Sequence, residues 1–192
     1  MLVVGLNGSP NKDGNIMFLL NSLKKEIENL GGGFEIIDVQ DAVVDCKQPF
    51  CIGCSVPCNS SCFKDTKLEK AYNLITKADA VVVGSPVYFG TISAQLKTFF
   101  DKTRAMRNTK NWIGKIGAGI TCGASKYGGQ EMTISTINNI LSVHGFTLIN
   151  DAHKDYKAGH FGVCAQNPAK EDAQALESLK ILANRIVDSG LN

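Results

Sequence analysis

Leu2-Val3-Val4-Gly5-Leu6-Asn7-Gly8-Ser9-Pro10 is the stretch on which the fold turns. Its apolar, partly β-branched start breaks off at a Gly-Ser-Pro turn, the pattern of a buried strand entering a loop. Downstream, Ile16, Leu19, Leu20, Leu23, Ile27 and Leu30 recur at three- and four-residue intervals until Gly31-Gly32-Gly33 stops the run. That spacing is one apolar face of a helix.

The alternation continues along the chain. Phe34 to Val39 reads as strand, an irregular cysteine-bearing stretch follows, and a helix over about Leu68 to Lys77 has Thr66 as its cap. Ala80-Val81-Val82-Val83-Gly84 is a core strand. Helices over about Ala94 to Arg104, Glu131 to Val143 and Ala169 to Val187, with strands at Ile116 to Thr121 and Thr147 to Ile149, complete the expected order. Five strands separated by helices predict parallel crossovers, hence an α/β doubly wound sheet of order 2-1-3-4-5 with helices on both faces. Ligands of such sheets lie beyond the carboxyl ends of the strands, where the order reverses, so the loops after strands one, three and four are the places for a site.

At 192 residues the chain fits one domain, 1–192, with a cysteine-rich insert at about 45–65. A net charge of +2 gives no electrostatic footprint for nucleic acid or an anionic membrane, which leaves a small molecule or another protein as partner. Met1 leads straight into the first strand without a basic leader, and the apolar runs are too short to span a bilayer, so a cytoplasmic location is expected.

The first loop, Asn7 to Asn15, joins hydroxyl and amide side chains, glycines and a helix N-terminus, a combination suited to a phosphate, and Lys12 offers a cation. It contains neither a Walker A Gly-Lys-Ser/Thr nor the three-glycine dinucleotide fingerprint. A plain turn with good capping residues would look the same. The second loop, Gly84-Ser85-Pro86-Val87-Tyr88-Phe89-Gly90-Thr91, sets two aromatics at the edge of the sheet, where they suit a flat conjugated ring or plug the core. The third, Thr121-Cys122-Gly123-Ala124-Ser125-Lys126-Tyr127-Gly128-Gly129-Gln130-Glu131, offers small residues and backbone donors. No Ser/His/Asp set or carboxylate pair is recognisable, and His144, His153 and His160 have the placing of surface or capping residues.

Together these segments resemble the NADPH-dependent FMN reductase family of the flavodoxin-like superfamily, through Gly8-Ser9-Pro10 to Gly14-Asn15, Ser85-Pro86-Val87-Tyr88-Phe89-Gly90 and Gly128-Gly129-Gln130-Glu131. The resemblance implies a flavodoxin-like three-layer sandwich that binds FMN. Electrons would pass from NAD(P)H as cosubstrate, or from ferredoxin, to a quinone, flavin or other small-molecule acceptor. Ser9, Asn11, Asn15 and the backbone N–H of Ile16 would hold the phosphate. Pro86, Val87, Tyr88, Phe89 and Gly90 would flank the isoalloxazine, with Thr121, Cys122 and Gly123 near its other edge. The flavin carries the chemistry and the protein orients it. The family usually has an arginine where this chain has Asn11 and a threonine where it has Ile16, so Lys12 or backbone donors must replace a bidentate phosphate contact. A homodimer or homotetramer is also implied.

Five of the seven cysteines fall between Cys46 and Cys62. Cys51, Cys54, Cys58 and Cys62, in a loop broken by glycine and proline, are spaced to wrap a [4Fe-4S] cluster; a four-thiolate zinc site, a disulfide or free thiols are the other readings. The stretch resembles the iron-sulfur flavoprotein branch of the same superfamily, although that branch usually separates its second and third cysteines by two residues and this chain has three. Cys46 would be a spare ligand or a neighbour of the cluster. A non-catalytic electron carrier, a thiol redox sensor with bound FMN and a zinc-stabilised nucleotide-binding module stand as alternatives.

Overall fold

A computed structural model describes residues 1–190. The strands are β1 (Leu2–Asn7), β2 (Gly33–Asp38), β3 (Ala80–Pro86), β4 (Ile116–Gly123), β5 (Thr147–Leu148) and β6 (Val163–Gln166). The helices are α1 (Asn15–Asn29), α2 (Val39–Val43), α3 (Lys67–Lys77), α4 (Ala94–Asp101), α5 (Arg104–Thr109), α6 (Gln130–Val143) and α7 (Ala173–Gly190). All ladders are parallel and the order is β2-β1-β3-β4-β5, as the sequence predicts.

Strand residues alternate between two apolar layers, because successive side chains of a strand point to opposite faces. Val3, Ala80, Val82, Ala118 and Ile120 pack with α1 and α7, whereas Val4, Leu6, Val81 and Val83 pack with α3 and α4. The α1 stripe Ile16, Leu19, Leu20, Leu23 and Ile27 is buried, each side chain contributing about 1.5–3 kcal/mol. Leu30, the last member of the expected stripe, is exposed because the helix has ended.

Several boundaries differ from expectation for local reasons. The expected fifth strand is divided: β5 pairs with Ile116 and Gly117, and after residues 149–162 the chain returns as β6 beside Ile120 to Gly123. The expected helix from Ala94 to Arg104 stops at Asp101 and resumes as α5. The last helix begins as a 3-10 turn, Ala169–Glu171, and breaks at Asp172 before α7. Thr66 sits at the start of α3, but its hydroxyl donates back to the Phe63 carbonyl and caps no helical N–H. No described helix is long and apolar enough to cross a membrane.

Candidate functional site

The first loop is built from its own side chains. Asn7 Oδ1 accepts from Ser9 N at 3.1 Å, Ser9 Oγ from Asn11 N at 3.1 Å, and Asn11 Oδ1 from Asp13 N at 3.0 Å. These Asx- and Ser-type turns coil the chain toward Gly14, which starts α1 with no side-chain cap. The first-turn N–H groups of Asn15, Ile16 and Met17 precede any intrahelical acceptor, so the donors fit an anion such as the FMN phosphate. Ser9 is buried at this turn, and its hydroxyl hydrogen remains available to a ligand.

Two expected contacts are engaged elsewhere. The Lys12 ammonium pairs with Asp41 at 2.5 Å, and this hydrogen bond raises the lysine pKa and lowers that of the carboxyl. Asn15 spends its side chain on the last loop: Nδ2 donates to Asn167 Oδ1 and Oδ1 accepts from Ala169 N, both at 2.9 Å. Ile16 turns its side chain into the core, leaving only its backbone at the loop.

Bonds across the sheet bind the first loop to the second. Gly8 N donates to Gly84 O at 2.8 Å, and Ser93 Oγ donates to Gly8 O at 2.5 Å. Ser93 Oγ also accepts from Leu96 N, capping α4, and Ser85 Oγ accepts from Ser93 N. Beyond Pro86, Tyr88 and Thr91 exchange both backbone hydrogen bonds, at 2.9 and 3.1 Å, around a two-residue tip. Phe89 (φ 51°) and Gly90 (φ 76°) form that tip, the left-handed pair of a tight turn. Phe89 is wholly exposed and Tyr88 is 44% exposed, so neither ring plugs the core.

The third loop meets the second where Val87 N donates to Cys122 O at 3.1 Å and where a Cβ on Gly129 would lie 3.1 Å from Gly90 Cα. Thr121 is buried, its hydroxyl donating to Ser85 O at 2.8 Å. Gly123 O accepts from Asn167 N at 2.8 Å, which closes a ring through Asn15 back to the first loop. Burial pushes the Cys122 thiol up to about 11 and that of Cys164 up to about 12, so both stay neutral at physiological pH. A cleft of about 890 Å³ borders this loop, lined by Tyr127, Gln130, Glu131, Cys164 and Asn167. Another, of about 870 Å³, lies against the end of α7 around His153, Tyr156 and Arg185, apart from these loops. The three loops and the Asn15–Asn167–Gly123 link thus form one cradle at the carboxyl ends of β1, β3 and β4. The sequence reading missed Ser93 and Asn167; Ser93 carries a capping signal, while Asn167 follows a strand too short to show a period.

The cysteine insert differs from expectation. Cys51, Cys54, Cys58 and Cys62 are free thiols, and among the described residues no three His, Cys, Asp or Glu side chains are gathered to hold a metal ion. Polar bonds help to set the path of the loop: Lys47 N donates to Cys62 O, Asn59 N to Ser55 Oγ and Ser61 N to Asn59 Oδ1. Cys54 is exposed, while Cys46, Cys58 and Cys62 lean on the apolar layer of α3 and α4. Tyr72 lies beneath, its hydroxyl donating to Phe99 O at 2.6 Å; burial, then the charges of Cys46, Cys62, Cys51 and Cys58, hold it well above its ordinary pKa. The donor chemistry suits a thiolate-held cluster, and the buried Lys102 Nζ, which has no hydrogen-bond partner among the described residues and whose charge lowers the pKa of Cys46 against the larger effect of burial, suits an anionic group on that side. Seating a cluster requires the loop to draw in.

The family profile described as NADPH-dependent FMN reductase matches residues 1–154. An iron-sulfur flavoprotein of Methanocaldococcus jannaschii is 32% identical over 191 residues, covering 98% of this chain and 96% of that protein. An iron-sulfur flavoprotein of Methanosarcina thermophila is 30% identical over 191 residues, covering 98% and 94%. Among solved structures, an NADH:FMN oxidoreductase in its apo form superposes with a TM-score of 0.73 at 15% identity, covering 98% of this chain and 89% of that one, a likeness of fold.

Proposed function

The chain belongs to the NADPH-dependent FMN reductase family, and from that membership we propose that it seats FMN across the cradle and passes electrons from NAD(P)H, or from ferredoxin, to a quinone, flavin or other small acceptor. The observation that carries this reading is the meeting of the three loops through Gly8–Gly84, Val87–Cys122 and Asn15–Asn167–Gly123. Bound flavin supplies two-electron and one-electron chemistry in one group. The first turn of α1 and the Ser9 hydroxyl bind the phosphate, helped by the positive end of the helix. Tyr88, Phe89 and Gly90 orient the ring from one side, and the backbone at Gly123 borders its other edge. Cys122, buried and neutral, contributes shape rather than a nucleophile.

The finer part of the proposal places a [4Fe-4S] cluster in the Cys51 to Cys62 insert. Two relatives named iron-sulfur flavoproteins and the orphaned Lys102 ammonium support it. A cluster supplies single-electron transfer. The exposed Phe89, Tyr127 and Met132 around the cradle support an assembly of two or four copies with the site beside the interface.

Anaerobic purification followed by an absorption spectrum, metal analysis and NAD(P)H oxidation with a quinone tests the reading. Flavin bands and quinone-dependent turnover are expected. Protein that takes up no FMN overturns it; flavin without turnover favours a passive carrier.

A further inference from the structure

Between β5 and β6 the chain leaves the sheet and folds against the end of α7, apart from the three loops of the cradle. His153 N donates to Lys157 O at 3.0 Å and Tyr156 N to His153 O at 3.1 Å, which holds Lys154 to Tyr156 as the tip of a tight turn. This turn and α7 border the cleft of about 870 Å³, a size suited to a small organic ligand. Lys154, Lys157 and Arg185 line it, against Asp188 as the one carboxylate that does. Asp188 is already engaged: Asp155 N donates to His153 Nδ1, so His153 Nε2 carries the proton and donates to Asp188 at 3.0 Å.

Arg185 is the fixed point of the cleft. Its Nη1 donates to Asn150 Oδ1 at 2.5 Å and to Ala152 O at 2.8 Å, both uncharged acceptors, while Nε and Nη2 have no hydrogen-bond partner among the described residues. A guanidinium oriented by neutral groups keeps its charge and the rest of its planar fork for an oxyanion. Lys157 Nζ donates to Ser178 Oγ at 3.0 Å and stands 3.8 Å from Asp151 Oδ2. Asp151 is 2% exposed, accepts from His160 N, and does not line the cleft. Lys154 is exposed at the tip. Beside these cations the Tyr156 ring, 59% exposed, tilts against His153 with centroids 5.0 Å apart. Three cations over one spent carboxylate, next to an accessible ring, match a flat ligand that carries several oxyanions.

We propose that this cleft is a second ligand site, separate from the flavin cradle, and that it takes a nucleoside phosphate. Arg185 and Lys154 hold the phosphate oxygens, Lys157 adds a positive field, and Tyr156 stacks on the base. The site goes beyond the flavin reading and does not depend on it.

The test uses the full chain carrying FMN, freed of excess flavin, with ADP, adenosine and inorganic phosphate as calorimetric probes at low salt. ADP should bind about tenfold more tightly than adenosine or phosphate, because it alone engages both the cations and the ring. Lys154→Gln should weaken ADP about tenfold, and raising the salt should act in the same direction. Tyr156→Ala should weaken ADP about tenfold and leave phosphate unchanged. Arg185→Lys keeps the charge but loses the fork, and should weaken ADP as well. Lys154 and Tyr156 are exposed, so their variants keep the test decisive even where Arg185→Lys disturbs the support of Asn150 and Ala152. Absence of ADP binding, ADP binding unchanged in both Lys154→Gln and Tyr156→Ala, or phosphate binding as tight as that of ADP overturns the proposal. A chain that takes up no FMN overturns the flavin reading instead, and the same variants still locate the nucleotide.

Discussion

The amide of Gly8 donates to the carbonyl oxygen of Gly84 at 2.8 Å, and a methyl group on Gly8 would stand 2.6 Å from that same oxygen. The contact is backbone to backbone, so no side-chain rotation relieves it. Gly8→Ala should cost about 1–3 kcal/mol of stability through overpacking. It should also weaken FMN binding, because the first and second loops move apart. Urea denaturation and a flavin fluorescence titration measure the two effects, and a variant as stable as the parent would refute the close approach.

Phe89 holds a left-handed backbone conformation with its ring in solvent, a strained arrangement that packing does not explain. Phe89→Gly should therefore raise stability by about 1 kcal/mol. The same change should weaken FMN binding about tenfold through the lost ring contact. Opposite signs in thermal melting and flavin affinity are the expected signature.

His144 follows α6, with Nδ1 2.7 Å from Ile140 O and Nε2 2.7 Å from Thr103 Oγ1, and it packs against Trp112 and Phe100. Burial lowers its pKa below the usual 6.5. The unfolded chain therefore takes up the proton first as pH falls, and stability declines through and below that value. A stability profile between neutral and mildly acid pH should lose this slope in His144→Phe; an unchanged slope would assign it to other groups.

The cluster proposed for the insert predicts that Cys51→Ala with Cys54→Ala brings iron and sulfide to background in anaerobically reconstituted protein while FMN content stays at the parent level, because the insert and the cradle are separate segments. Loss of both cofactors together would contradict that separation.

Much of this architecture was legible because the decisive signals are local. Leu2 to Leu6 and the Ile16 to Ile27 stripe announce their periods, and the Gly-Ser-Pro turns mark where the strands end. What escaped depends on contacts between distant segments. Val163 to Gln166 is only four residues long and is a strand because β4 offers it a ladder. Asn15 was legible as a polar residue at a helix start, but its turn toward Asn167 spans the length of the chain. The cysteine spacing says which chemistry is at hand, while Ser55, Asn59 and the Lys47–Cys62 bond help to set the path of the loop. Lys102 carries no local sequence signal of burial; only the packed fold shows its side chain buried.

The division of the last strand position has a consequence for how this protein behaves in a crowded solution. A sheet ending in one long, flat strand invites a neighbouring molecule to add another, the first step toward fibrils. Here β4 is covered first by two residues and later by four, with residues 149–162 leaving the sheet between them. No long continuous strand is on offer at that border, and the four residues of β6 that return after the excursion cover Thr121 to Gly123 at the cradle.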